Sequence, residues 1–172
     1  MQIRAARASD LRCLQAIEVA AGAPFRDIGM GSVADDDPPT LEVLAGYQAR
    51  GCCWVAVDET DQPVAYLLVE AVDGAAHVEQ VSVHPAWAHR RIGERLLRAA
   101  ADWAASRGLA ALTLTTFSDV PWNRPYYERL GFRVLDEVEL SPGLRRIRMA
   151  EAQRGLDRWE RVAMRRSLGG QP

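Results

Sequence analysis

The 172-residue chain contains no lysine, so all 21 of its Lys-plus-Arg residues are arginine. That absence excludes a phosphate loop built around a lysine, a Schiff-base mechanism and acetylation on the chain's own lysine side chains. Cysteine is scarce: Cys13, Cys52 and Cys53 are the only three. They make no even disulfide framework, adjacent cysteines rarely pair, and no histidine stands at ligand spacing, so neither disulfides nor a metal is expected. They read as small buried residues of a cytoplasmic protein. No run approaches the ~20 apolar residues of a membrane helix and no charged-then-apolar leader opens the chain, so no membrane partner is expected. Excess positive charge is missing too. A formal net charge of −2 argues against a nucleic-acid partner, and the local runs Arg145-Arg146-x-Arg148 and Arg165-Arg166 read as solvated faces.

What is present is an ordinary globular composition, 48% hydrophobic and 26% charged, enough for one domain over residues 1–172. Residues 2–6 read as a strand. Ser9-Asp10 then caps a helix whose apolar face is Leu11, Leu14, Ile17 and Val19 or Ala20. Residues 22–39, rich in Gly, Asp and Pro, read as a loop with little regular structure, followed by a helix over 40–50. Strands over 52–58 and 64–72 lead to Asp73-Gly74, a two-residue hairpin signal, and a strand over 75–83. A helix over 90–107 stops at Gly108, and a strand covers 109–117. A helix over 121–130 closes at Gly131, and a strand is expected over 132–140. A helix over 142–154, a strand over 159–168 and the end Gly169-Gly170-Gln171-Pro172 complete the chain. Strands in hairpins, broken by a few helices, predict a mixed α/β fold around one central sheet.

Two blocks carry chemistry. In the first, Val81-Ser82-Val83-His84-Pro85 runs into Ala88-His89-Arg90-Arg91-Ile92-Gly93-Glu94-Arg95-Leu96-Leu97. Ile92, Leu96, Ala99, Ala100 and Trp103 recur at helical spacing. A strand that stops just before a helix points that helix's unpaired N–H groups at one spot, an arrangement that binds phosphate. The second block is Pro121-Trp122-Asn123-Arg124-Pro125-Tyr126-Tyr127-Glu128-Arg129-Leu130-Gly131-Phe132. In this order, and with the opening Ile3-Arg4-Ala5-Ala6-Arg7-Ala8-Ser9-Asp10-Leu11, the chain resembles the Gcn5-related N-acetyltransferase (GNAT) superfamily over most of residues 2–168. The first block is similar to the family's acetyl-CoA motif and the second to its Tyr-Glu-x-Leu-Gly-Phe motif. Ala88 and Arg91 depart from the motif, which has Gln or Arg and then Gly at these positions; only Gly93 keeps a glycine. Arg91 either adds a charge-assisted phosphate contact or faces water.

The resemblance implies a mostly antiparallel twisted sheet flanked by helices, here with an extra helix before the last strand. It implies acetyl-CoA as co-substrate, held along Val81, Ser82 and Val83 and at His89, Arg90, Arg91, Ile92, Gly93, Glu94 and Arg95. Asn123 is similar by type to a coenzyme-contacting asparagine, but lies closer than usual to Tyr127, and a helix cap explains it equally well. Tyr127 matches the family's frequent acid, against the alternative of a packed aromatic; Tyr126 is expected in the core.

Transfer of an acetyl group to an amine needs a free amine, a polarised thioester and a proton for the departing thiolate. His77 and Glu79 share strand parity with Val81 and Val83. His77 aligns with a catalytic Glu of some family members, and Thr115 stands where others carry one, which leaves that second position without a carboxylate. Glu79 or His77 acting through water is the expected base, Glu79 the nearer to the reacting end; a structural hydrogen-bonding role is the alternative. Phe25, Arg26 and the 142–154 helix are expected at the acceptor, and Asp35-Asp36-Asp37 either attracts a cationic amine or is solvated. The expected activity is acetyl transfer to a primary amine of a small molecule. A protein N-terminus is the alternative acceptor, and a non-catalytic acyl-CoA-binding module or a structural interaction domain the rival. A homodimer is left open.

Overall fold

A computed structural model describes residues 1–169; the rest of the low-complexity end, residues 170–172, lies outside the described residues. The strands are β1 (Gln2–Ala5), β2 (Cys53–Val57), β3 (Pro63–Val72), β4 (Ala75–Val83), β5 (Ala111–Phe117), β6 (Arg133–Val134) and β7 (Arg161–Ser167). The helices are α1 (Leu11–Gly22), α2 (Gly31–Ala34), α3 (Leu41–Ala49), α4 (Ile92–Ser106), α5 (Arg124–Arg129) and α6 (Pro142–Gln153), with short 3-10 turns between. The strands form one seven-stranded sheet ordered β1-β2-β3-β4-β5-β7-β6. The pairs β1/β2, β2/β3, β5/β7 and β6/β7 run antiparallel, and β4/β5 pair in parallel at Ala76↔Leu112 and His77↔Thr113. The mixed, mostly antiparallel architecture with α6 before the last strand is the one expected.

The chain divides into two compact units, Met1–Val69 with Gln80–Ala99, and Glu70–Glu79 with the chain from Ala100 onward. In the first, Leu14, Leu44, Val55, Tyr66, Leu67, Leu96 and Leu97 are fully buried; emptying one leucine site costs ~2–5 kcal/mol. Cys52 and Cys53 are buried as expected, and Cys13 is partly so. In the second, Leu112, Met164 and His77 are fully buried, and Leu135, Leu144 and Ala163 form a cluster against which Leu140, before α6, and Ile147, on it, pack. Asp73 and Gly74 turn the β3–β4 hairpin with φ of 47° and 77°, the two left-handed residues that a tight hairpin of this hand requires. The start of α6 docks on that turn. The Gly143 N–H donates to Asp73 Oδ2 at 2.5 Å, and a Cβ at Gly143 would collide with Val72 Cγ1 and lie 2.6 Å from Asp73 Oδ2. A glycine is needed there because of this close approach.

Several expectations are corrected. Most of residues 22–39 is not an irregular loop: α1 runs to Gly22, a 3-10 turn covers Ala23–Ile28, and α2 follows, so apart from Gly29 and Met30 only the part after Ala34 lacks regular structure. Met30, only 3% exposed, anchors the stretch, and the Gly29 N–H closes the first turn on the Arg26 carbonyl. Asp10 does not cap α1 with its side chain. Its carboxylate instead accepts from Arg4 Nη1 at 2.7 Å and from the Arg7 N–H at 2.7 Å, because Arg4 is the nearer unsatisfied charge. Val19 is exposed rather than on the apolar face. The 121–130 helix shortens to α5, since Pro125 fits only a first turn. The expected 132–140 strand shrinks to β6. Beyond it a 3-10 turn at Glu137–Glu139 is held by the Asp136–Glu139 capping box and the Arg133–Glu139 ion pair at 2.8 Å.

Candidate active site

In the second unit, β4 alternation sends His77 and Glu79 to one face, but their surroundings differ. His77 is 1% exposed. Its Nδ1 lies 3.0 Å from Thr113 Oγ1 on β5, and its Nε2 is 3.8 Å from Glu79 Oε2. Burial pushes the His77 pKa down to about 4, with Glu151 opposing. The ring is therefore neutral near pH 7, and the contact with Glu79 is not an ion pair. Glu79 keeps 43% of its side-chain surface, so it lies at the surface rather than in the core. Its pKa is nonetheless raised, first by loss of solvent and then by Glu70 and Glu151, with Arg154 and Arg161 opposing. Among the described residues no group donates a hydrogen bond to it.

Glu151 was not expected at all. From α6 its Oε1 accepts from Thr115 Oγ1 and from Arg161 Nη2 at 2.9 Å, and its Oε2 accepts from Arg148 Nη1 at 2.6 Å. Burial alone would raise its pKa; Arg161, Thr115 and Arg148 together hold it below the carboxylate value. The carboxylate missing from position 115 is thus supplied beside it from another element. Apart from Arg148, one helical turn back, the partners of Glu151 stand 36 and 10 residues away, so little in the sequence marks it beyond its helical run.

Tyr127 is half-buried on α5, its ring 5.8 Å from Phe132 and 5.4 Å from Tyr126. The two tyrosines touch edge to face and both are partly exposed, so Tyr126 is not in the core, where the sequence predicts it. Burial raises the Tyr127 phenol pKa, and Tyr126 adds to the shift. It stays protonated as a proton donor must. Asn123 lies at the α5 N-cap position with no side-chain cap bond, while its carbonyl accepts from the Tyr126 and Tyr127 N–H groups.

In the first unit, β4 ends at Val83 and α4 begins at Ile92. The Arg91 carbonyl accepts from the Arg95 N–H at 3.2 Å, which leaves the N–H groups of Ile92, Gly93 and Glu94 without helical partners. Arg91 has φ 57° and His89 φ 61°. A left-handed backbone explains why glycine suits position 91, and arginine holds it at a strain of ~1 kcal/mol. Arg90 stacks 4.7 Å over the Trp87 ring, and Arg95 Nη2 donates to the Met1 carbonyl at 2.9 Å. Both line an open cleft of about 470 Å³ with Met1, Asp58, Thr60 and Trp87. Val81 and Val83 are partly exposed and Ser82 is buried. Of the expected acceptor residues, Phe25 is partly exposed and Arg26 is tied to Asp35 at 2.5 Å on the surface.

A second unexpected carboxylate belongs to this unit. Glu18 of α1 accepts from Tyr66 Oη at 2.6 Å, Ser82 Oγ at 2.6 Å and Gln80 Nε2 at 2.8 Å.

Comparison with known proteins places these observations. The model of the Acetyltransferase (GNAT) family matches residues 16–132. The fold is similar to PaiA N-acetyltransferase from Thermoplasma acidophilum, solved with coenzyme A, at TM-score 0.71 and 15% identity, covering 96% of this chain and 98% of that one. It is similar to the ribosomal-protein-S18-alanine N-acetyltransferase of Escherichia coli at TM-score 0.68 and 18% identity, covering 99% and 96%. For N-acetylglutamate synthase of Neisseria gonorrhoeae, solved with coenzyme A and N-acetyl-glutamate, the TM-score is 0.70 at 17% identity, over 98% of this chain but 35% of that one.

Proposed function

The chain belongs to the GNAT acetyltransferase family, and on that premise we propose that it moves an acetyl group from acetyl-CoA directly to a primary amine of a small molecule, as one domain. Bound acetyl-CoA supplies the acetyl thioester. The free N–H groups at the start of α4, with Arg90 and Arg91 beside them, suit its pyrophosphate, and solved relatives hold coenzyme A. Gly93, buried in the first turn, allows close backbone approach. Glu79 takes a proton from the ammonium, through water. The amine nitrogen bonds to the acetyl carbon, the C–S bond breaks, the Tyr127 phenol gives its proton to the sulfur, and the second proton shed by the nitrogen returns through water to the phenolate. No covalent enzyme intermediate is needed.

The observation that carries this reading is Glu79 itself, a carboxylate open to solvent that accepts no hydrogen bond from the described residues and whose proton affinity is raised by loss of solvent and by Glu70 and Glu151. A general base works best with a pKa near the working pH. The test is thiol release from acetyl-CoA over a panel of small amines, with alanyl peptides as the control that would move the acceptor to a protein N-terminus. Glu79→Gln should lower turnover ~10²–10³-fold and remove the acidic limb of the pH–rate profile. Tyr127→Phe should lower it ~10²-fold with acetyl-CoA affinity unchanged. Acetyl-CoA binding without thiol release on any amine would leave a binding module instead.

A further inference from the structure

We propose that Glu18 and Gln80 form the site that holds the acceptor amine in its ammonium form. This rests on the acetyl-transfer reading for its purpose, but not for its geometry.

The Glu18 carboxylate receives three hydrogen bonds, from Tyr66, Gln80 and Ser82, all neutral donors. No arginine or histidine among the described residues pairs with it. Satisfying the buried Tyr66 hydroxyl needs only an acceptor, which a neutral amide oxygen supplies as well. A carboxylate with no counter-cation among the described residues, partly exposed within α1, instead provides a negative charge within reach of solvent.

The bonding pattern also says where the ligand goes. A carboxylate offers about four acceptor directions. Oε2 spends its share on Tyr66 and Ser82, whereas Oε1 takes only Gln80. Gln80 Nε2 donates both to Glu18 and to Ser82 Oγ, each at 2.8 Å. That fixes the amide's orientation and leaves its oxygen without a donor among the described residues. An anionic acceptor, Glu18 Oε1, and a neutral one, the Gln80 oxygen, are then available to an R–NH₃⁺ group. Ser82 lies between Val81 and Val83, on the β4 segment proposed to run along the coenzyme. An ammonium on Glu18 is therefore one side chain away from that strand. The ligand class is a primary alkylammonium rather than an uncharged arylamine.

The test titrates n-butylammonium chloride into the full chain without coenzyme, following the amide resonances of Glu18, Gln80 and Ser82, with n-butanol as the uncharged match. Saturable shifts at these residues, with butanol at least ~10-fold weaker, are expected from a charge-assisted contact. Glu18→Gln should weaken butylammonium ~10-fold or more, and Gln80→Leu by a smaller factor. Absence of saturation, or equal binding of butanol, overturns the proposal on the native chain alone, even if neither variant folds. Butylammonium affinity within twofold of native in a folded Glu18→Gln chain overturns it too. Saturation at Glu18 with no thiol release on any amine would remove the transfer reading and keep the site; thiol release with an unchanged amine KM in Glu18→Gln would do the opposite.

Discussion

Glu79 and Glu151 belong to the same unit, and both lose solvent, yet their proton affinities move in opposite directions. Loss of solvent is the leading influence on each and pushes each upward. Glu151 then meets Arg161, Arg148 and the Thr115 hydroxyl, which reverse the push; Glu79 meets Glu70 and Glu151, which extend it and outweigh Arg154 and Arg161. Desolvation alone does not sort a working carboxylate from a structural one. The sign of the neighbours does, and here one glutamate helps set the other.

The contrast breaks most visibly at Glu151. Glu151→Ala strands the Arg161 guanidinium, 9% exposed, and should cost ~3–5 kcal/mol in urea unfolding. The same change removes a negative neighbour from Glu79, so the acidic limb of the pH–rate profile should move to lower pH. A limb that moves up, or not at all, would mean the two carboxylates are not coupled.

His77 gives the next effect. Its folded pKa of about 4 lies below its ordinary 6.5, so between those values the unfolded chain binds the extra proton. Stability should therefore be fully present above pH 6.5 and fall as pH drops toward 4, by ~3 kcal/mol at most. Unfolding curves of His77→Gln should lose that slope. A slope unchanged by the substitution would assign it to other groups.

The smallest effect tests the other side of Glu79. Glu70→Gln removes the first of the two raising neighbours and should shift the acidic limb down by a fraction of a pH unit, with stability within ~0.5 kcal/mol of native. A limb that stays in place would mean that Glu70 does not act on Glu79.

What could be read from sequence was local. Asp73-Gly74, Gly108 and Gly131 each mark a left-handed residue, with φ of 47°, 77°, 68° and 85°, and such residues announce themselves without tertiary context. The misreading of residues 22–39 has the opposite cause: their composition also suits 3-10 turns, and burial of Met30 decides between the two. Over 132–140, Val134, Val138 and Leu140 mimic a strand, but Val138 is 86% exposed and the Arg133–Glu139 pair folds the chain back. His77 and Glu79 were legible because alternation places them. Glu18 and Glu151 were not, because the residues that give them meaning stand 48 to 64 and up to 36 positions away.

The antiparallel partner of β5 is the last strand in the chain, joined to it through seven residue pairs from Ala111↔Ser167 to Phe117↔Arg161. During synthesis Thr115 and His77 leave the ribosome well before Glu151, and Arg161 follows later still. A nascent chain that ends short of Arg161 has the histidine, the threonine and the glutamate but lacks a cation that balances them. The Glu151 cluster is thus electrically finished only when the final strand zips onto β5, and a ribosome stalled in α6 would carry a chain whose Glu151 still lacks Arg161.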